Sequence, residues 1–423
     1  LAVAAVALRW QFVDVQSGDY RTFVSRWYAF LQAHGHLAAL RDDTFSNYNT
    51  PYLVLLALAG YLPAPALVAV KAISVLGDLA VAWVGSRIVA VVRPGSAWPP
   101  VGAFAAVLLL PTVVMNGGVW GQCDSLYAAA GLTCVLACLG GRPWAASAWF
   151  GVSLAFKLQA MFLLPVLIGV LVVNRHRLVP LAGAVGTFLA CLVPALLAGR
   201  GLASQLMVYP TQVADPAGTT VPGEAASAAL GRRGPAGGTP PPGPLSPGHG
   251  GGAPGAFTLN DGQSFTHNAP TPYAWLPAHA PLAWKYTGLA LTAAVLLAFG
   301  IWLIRRRRVL SPGQILLVAA TATLLVPICL PEMHERSFYL GEVLTVLAAF
   351  ADRRFALPAV GIQLASVSTY LAYLLDRPLV PLSLAAAVAV PSAALAAVLL
   401  VRALSPAVGP GHDLTPSPPP GLR

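Results

Sequence analysis

Charge is what this sequence has least of. Of 423 residues only 40 are charged, 25 Lys or Arg and 15 Asp or Glu, which is 9% of the chain. A soluble domain carries about 25%, so these residues cannot clothe a surface in water. The shortage excludes a soluble enzyme and a disordered chain. Cysteine is scarce too: the five residues form no CxxC pair and no Cys/His group at zinc spacing, which excludes a disulfide scaffold and gives no metal site. Walker A, Rossmann and nucleophile-elbow sequences are missing, so nothing supports a nucleotide-driven pump. What is abundant is apolar: 57% of residues, with a mean hydropathy of +0.70. The fold class expected is all-α, a polytopic transmembrane helical bundle. In that setting a net charge of +10 reads as basic inner loops and contact with anionic membrane lipids, not nucleic acid.

A hydrocarbon core about 30 Å thick needs about 20 apolar residues in a helix. Apolar runs lie near 1–13, 66–92, 101–115, 122–140, 143–173, 178–198, 283–304, 313–330, 337–351, 355–375 and 379–402. The run 143–173 is interrupted by Lys157 and Gln159. Counting it as two spans puts Arg93, Arg142, Arg175, Arg177, Arg305–Arg308, Arg353, Arg354 and Arg402 all on the inner side, as the positive-inside bias requires. The count is then about twelve spans, with both termini inside. Eleven of the fifteen acids, together with Lys157 and His334, fall on the outer side, where any chemistry is expected. Leu1 already lies within an apolar run, with neither methionine nor a cleavable signal before it. The first span is therefore expected to be clipped at its cytoplasmic end. Residues 1–402 read as one transmembrane domain with an external loop at 14–50. The Gly/Pro-rich stretch 215–256 reads as a disordered external insertion, and 403–423 as a disordered cytoplasmic tail.

Four outer clusters carry polar residues where a membrane edge makes them expensive. In the first, Asp19 opens a helix whose Tyr20, Phe23, Val24, Trp27, Phe30 and Leu31 recur at helical spacing, a stripe expected to lie in the lipid boundary. Asp19 reads as an N-cap or as a general base held ionised at a cavity rim, two compatible roles because cap hydrogen bonds also favour the charged form. In the second, Asn47-Tyr48-Asn49-Thr50-Pro51-Tyr52 combines turn chemistry with aromatic groups. The third, Trp120-Gly121-Gln122-Cys123-Asp124, opens a span, and Asp124 and Gln122 are either a capped helix start or the wall of a wet cavity. Lys157 and Gln159 sit at the outer turn of the broken span, where a lysine either snorkels or meets an anion. The fourth, Glu332-Met333-His334-Glu335-Arg336, offers donors suited to a phosphate; its plain reading is a salt-bridged turn. It is not a zinc HExxH motif, because residue 338 is Phe. Asp78, in mid-span with Lys71 two turns away, reads as glue between helices.

The order of these motifs resembles the membrane glycosyltransferases of the GT-C class. It runs from Gly-Asp-Tyr before an external Arg-Trp helix, through a polar Tyr/Pro segment, Gly-Gln-Cys-Asp and Phe-Lys-Leu-Gln, to a late His-Glu-Arg. The likeness is to bacterial relatives of the GPI mannosyltransferase 2 (PIG-V-like) group, and also to the dolichol-pathway glucosyltransferases. It spans about Asp14 to Phe350 without the Gly/Pro insertion. The resemblance implies inverting transfer of a sugar, mannose first among candidates, from a polyprenyl-phosphate donor to a hydroxyl of a lipid, glycan or protein acceptor. It implies Asp19 as catalytic base, and His334, Arg336 and Lys157 as ligands of the donor phosphate. Tyr20, Tyr48, Gln122, Asp124, Gln159, Glu332 and Glu335 would line the cavity. It implies no cofactor and no required metal, although a divalent ion is compatible with it. A composition rich in alanine with three lysines points to a bacterial plasma membrane, with the site on its extracytoplasmic face. The competing reading is a transporter or flippase of a lipid-linked or acidic substrate, which would want ionisable groups reaching both faces.

Overall fold

A computed structural model describes residues 1–214, 265–277, 281–306 and 309–405. The insertion expected at 215–256 and residues 406–423 of the tail lie outside them. The described chain is almost wholly helical. In order come α1 (Ala2–Trp10), α2 (Ser25–Ala33), α3 (Thr50–Ala59), α4 (Ala66–Val92), α5 (Trp98–Leu108) and α6 (Asp124–Leu139). After them run α7 (Pro143–Phe156), α8 (Leu164–Val173), α9 (Leu181–Ala198), α10 (Ala283–Arg305), α11 (Pro312–Cys329), α12 (Tyr339–Ala351), α13 (Ala356–Leu374) and α14 (Leu382–Leu404). Two short strands, β1 (Thr266–His267) and β2 (Met333–His334), pair in parallel, with His267 opposite His334.

Every apolar run read from the sequence contains a helix, but the helices differ in reach. Among the described residues six are long and apolar enough to cross a membrane, or seven if the pair Trp98–Leu108 and Pro111–Trp120, bent by 49°, counts as one. That is fewer than the twelve spans expected. The difference lies in α1, α6, α7, α8 and α12, of 9, 16, 14, 10 and 13 residues; at 1.5 Å per residue each falls short of about 30 Å. Three of these short helices border a candidate site residue: α6 begins at Asp124, α7 stops before Lys157, and α12 follows Arg336. The break expected at Lys157 is a single extended residue (φ −157°, ψ 139°) followed by a 3-10 turn over Leu158–Leu163.

The helices have two distinct ends. The starts of α6 and α12 and the ends of α7, α11 and α13 meet around Asp19. The opposite ends carry arginine: Arg93 after α4 donates to the carbonyls of Phe350 (2.6 Å) and Ala351 (3.2 Å) at the end of α12. There too Gln314 at the start of α11 reaches the Ala403 carbonyl of α14 at 3.4 Å.

Two apolar clusters fill the interior. The larger joins the C-terminal half of α4 to α5, α6, α8, α11 and α12. The smaller corrects an expectation. Tyr20, Val24, Trp27 and Leu31 do not face lipid; they are buried against Leu40, Phe45, Leu53, Leu56 and Val70. The stripe was legible, but α3 and the N-terminal end of α4 supply protein where lipid was expected, and the Tyr28 hydroxyl ties the helix to the Ala59 carbonyl at 3.2 Å.

While the Lys71 ammonium donates to the Phe12 carbonyl, Asp78 of α4 pairs with Arg9 of α1 at 2.8 Å and so joins two helices. Both side chains are sealed, 0% and 2% exposed. Arg9 also donates to the carbonyls of Ala5 (3.2 Å) and Leu108 (2.9 Å), so its donors are satisfied as a buried charge requires. A Cβ at residue 117 would overlap the Asp78 carboxylate; Gly117 is the space into which that carboxylate fits.

Candidate active site

The helix at the first external segment is capped by Ser17, not Asp19. The Ser17 hydroxyl accepts from the Tyr20 amide (3.2 Å) and donates to the Trp120 carbonyl (2.9 Å). Asp19 makes no cap bond, which leaves its carboxylate free to turn inward. It is met by four donors. Oδ2 accepts from Arg336 Nη1 at 2.6 Å, from Trp120 Nε1 at 3.3 Å and from Gln122 Nε2, while Oδ1 accepts from the Tyr373 hydroxyl at 2.8 Å. The four come from three distant parts of the chain; Arg336 lies 317 positions from Asp19. Residue 18 must be small here, because a Cβ on Gly18 would sit 3.1 Å from the Tyr373 oxygen.

Aromatic rings form the wall. Trp120 stacks on Tyr373 at 4.2 Å and 18°, and the Arg336 guanidinium lies 5.4 Å from the Trp120 ring centre, within cation–π range. The Asp19–Arg336 pair keeps 23% and 21% of its side-chain surface exposed, so the cluster opens outward.

Behind it is a second, closed network. Lys157 is ion-paired with Asp124, and Asn116 donates to the other Asp124 oxygen at 2.8 Å. Lys157 was expected to face a donor phosphate; instead its ammonium is committed to Asp124 and buried. The extended backbone at residue 157 explains this, since it ends α7 and turns the side chain across to the start of α6. Gln122 is a direct ligand of Asp19, a closer role than the cavity lining expected of it. Tyr48 contacts Cys123 Sγ at 3.2 Å and packs between Trp27 and Tyr52, with ring centres 5.4 Å away in each case.

Other expected lining residues fall elsewhere. Tyr20 belongs to the smaller apolar cluster. Glu332, at φ +59°, pairs with Lys285 at 2.8 Å and is turned to the rim. Gln159 makes no hydrogen bond to the cluster among the described residues. Glu335 is buried beside Arg336.

The electrostatics follow from these neighbours. Burial alone would raise the Asp19 carboxyl, but the charge and hydrogen bond of Arg336, with the Tyr373 hydroxyl, outweigh it and hold Asp19 below its ordinary 3.8. Burial, then Arg336 and His267, push His334 well below 6.5, so at neutral pH it is an uncharged hydrogen-bonding group. Burial raises Glu335 to about 7. Burial opposes the charge on Arg336, yet Asp19, Asp124 and Glu335 raise its pKa well above the ordinary arginine value. Arg336 is therefore the cation of the open cluster, and its Nε–H is buried without a partner.

Three participants were not foreseen. Tyr373 read as part of an apolar run; its signal was a Tyr370/Tyr373 pair one turn apart at the C-terminal end of α13. His267 stacks on His334 at 4.8 Å and 25°, and the pairing of β1 with β2 brings it there. Asn116, beside Gly117 and Gly118, was a polar residue within a span and so carried the ordinary signal of a functional position.

Fold and site together define a polytopic membrane protein with a charged, aromatic-walled cluster at one end of its bundle. The family model for glycosyltransferase family 87 matches residues 45–234, and this match supports glycosyltransferase activity, with a donor and an acceptor met in the membrane. Tyr48, Gln122, Asp124, Lys157 and Gln159 lie within the matched residues; Asp19, His334 and Arg336 lie outside. No curated protein matches the chain.

Proposed function

We propose that the protein is a GT-C-type glycosyltransferase related to the PIG-V-like group. It moves a sugar, mannose first among candidates, from a polyprenyl-phosphate donor to a hydroxyl of a lipid, glycan or protein acceptor, with inversion. The observation that carries this reading is the meeting of Asp19 with Arg336, one candidate base and one strong anion ligand, at an open end of the bundle. The arginine-bearing end faces the cytoplasm by the positive-inside bias, and the reaction takes place on the extracytoplasmic side of a bacterial plasma membrane.

The free cluster is a resting state. A carboxylate that accepts four hydrogen bonds and has a depressed pKa is a poor base. Donor phosphate offers Arg336 a better partner: a planar guanidinium binds phosphate through two parallel bonds, and Nε–H is the donor left over for the second. Once Arg336 turns to the phosphate, Asp19 loses its largest stabilising neighbour and its basicity rises. The acceptor oxygen then attacks the anomeric carbon as its proton passes to Asp19. The bond from that carbon to the phosphate oxygen breaks, and polyprenyl phosphate leaves with its new charge on Arg336. His334, uncharged, donates a hydrogen bond to the phosphate. Donor thus binds before acceptor, and no metal is required for the charge that develops.

The transporter reading fits less well. The mid-bundle pair Arg9–Asp78 is sealed and fully partnered, so it does not extend the outer cluster towards the other face. The test is transfer from radiolabelled polyprenyl-phosphate mannose, polyprenyl-phosphate glucose and nucleotide sugars by the purified chain in liposomes. Label transferred from a polyprenyl-phosphate sugar is expected; transfer from the nucleotide sugars alone would overturn the donor class.

A further inference from the structure

The arginine-bearing end holds two adjoining depressions remote from Asp19. One, of about 550 Å³, is a groove between α13 and α14 lined by Leu357, Val360, Leu395 and Leu399 and headed by Arg353 and Arg354. The other, of about 580 Å³, lies beside it, shares both arginines, and adds Arg93, Ser311, Gln314 and Asp352. Volumes of this size are those of ordinary ligand sites. Leu395, Leu399 and Ala403 recur every fourth residue, so one stripe of α14 runs from the apolar groove into the polar depression.

The charges are unequal. Three arginines face one acid, a net of two positive charges. Asp352 is taken by Arg354, which it binds at 2.9–3.2 Å through both oxygens, and Arg93 is oriented by the end of α12. Arg353 is exposed, and its guanidinium makes no hydrogen bond or ion pair among the described residues. It stands at the mouth of the apolar groove. Leu357 and Val360, 68% and 56% exposed, follow it along α13 towards the middle of the bundle. A positive head above an apolar channel that runs along the helix axis matches a phosphate ester above a hydrocarbon chain.

We propose that this groove is a binding site for one anionic phospholipid, with its phosphate on Arg353 and one acyl chain along Leu357, Val360 and Leu399. A basic pocket between helices at a membrane edge is suited to such a headgroup. A zwitterionic lipid supplies the same chain but no net charge, so the net of two positive charges selects against it.

The test is native mass spectrometry of the full chain in mild detergent, titrated with phosphatidylglycerol or phosphatidylcholine of the same acyl chains. The wild type is expected to retain one phosphatidylglycerol at about tenfold lower lipid concentration than phosphatidylcholine, the size of one charge-assisted contact. Arg353→Gln should abolish most of that preference, and Arg353→Lys should restore part of it. Leu357→Trp, at an exposed position, should weaken both lipids by obstructing the chain. Arg142→Gln, at the same end but outside the groove, should change nothing. Equal retention of the two lipids by the wild type would overturn the proposal. So would an Arg142→Gln effect as large as that of Arg353→Gln, which would reduce the preference to general charge. A dimer that Arg353→Gln dissolves would assign the groove to a second copy and overturn it as well.

Discussion

Two of the carboxylate–arginine pairs among the described residues, Arg9–Asp78 and Arg336–Asp19, are of nearly the same length and opposite character. Arg9–Asp78, at 2.8 Å, is sealed among α1, α4 and α5, with both side chains at most 2% exposed. Arg336–Asp19, at 2.6 Å, lies at an open end with about a fifth of each side chain exposed. In the first, the remaining donors of the arginine end on carbonyls. In the second, the arginine keeps a buried Nε–H without a partner, and the acid is overbound. A sealed, satisfied pair fixes helices to one another. An open pair with one unsatisfied donor and one overcommitted acceptor is ready to exchange partners. Ion-pair distance alone does not distinguish glue from site; the balance of donors and access does.

The comparison breaks most sharply under amide substitution. Asp19→Asn should lower kcat by about 10²–10⁴-fold, the usual contribution of a general base, with little change in thermal unfolding. Asp78→Asn should do the reverse. It leaves Arg9 as an uncompensated buried charge, a loss of about 3–5 kcal/mol measured by denaturation in detergent, while the protein that remains folded transfers sugar at near wild-type kcat. If the two phenotypes were exchanged, the roles assigned to the pairs would be exchanged too.

Next in size is Arg336→Lys. Charge survives but the planar pair of donors does not, and donor KM should rise about tenfold with acceptor KM nearly unchanged; an unaltered donor KM would remove Arg336 from the phosphate. The smallest expected effect is that of Tyr373→Phe. In an open, solvent-screened site one such hydrogen bond is worth about 1 kcal/mol, below the ~1.4 kcal/mol of a tenfold change, and the loss should appear mainly in pH dependence. Asp19 is depressed in the folded protein, so its ionised form, and the stability that ion contributes, persist as pH falls until its lowered pKa is crossed. Removing Tyr373 or Arg336 leaves burial less opposed, so the acid limb of kcat/KM should move up in pH. A limb near pH 7 that vanishes in Glu335→Gln would belong instead to Glu335, whose pKa is about 7.

Much of this was legible before the fold was known. Asp19, Gln122 and Arg336 stood out because charged or amide groups at a membrane edge need a reason, and all three meet. The break at Lys157 was readable from a cation and an amide inside a long apolar run. What sequence could not supply was pairing at a distance. Arg9 lies 69 positions from Asp78 and Tyr373 lies 354 from Asp19, so neither has a local signature. Nearness in sequence names no partner: Lys71 lies on the same helix as Asp78 yet donates to the Phe12 carbonyl, and Lys157, expected at the donor phosphate, is ion-paired with Asp124. The stripe from Tyr20 to Leu31 is legible as an apolar face but is expected in the lipid boundary and lies against protein, because periodicity reports that a face is apolar and not what covers it.

The central claim is that Asp19 becomes the base only after donor phosphate draws Arg336 away. Its most direct test is single-turnover transfer from radiolabelled polyprenyl-phosphate mannose in proteoliposomes, comparing wild type with Asp19→Asn after donor binding has been measured separately by titration. The account predicts that the Asp19→Asn variant binds donor at least as tightly as wild type, since Arg336 is no longer held by a carboxylate, yet transfers the sugar at least about a hundredfold more slowly. Full transfer by the variant would contradict it.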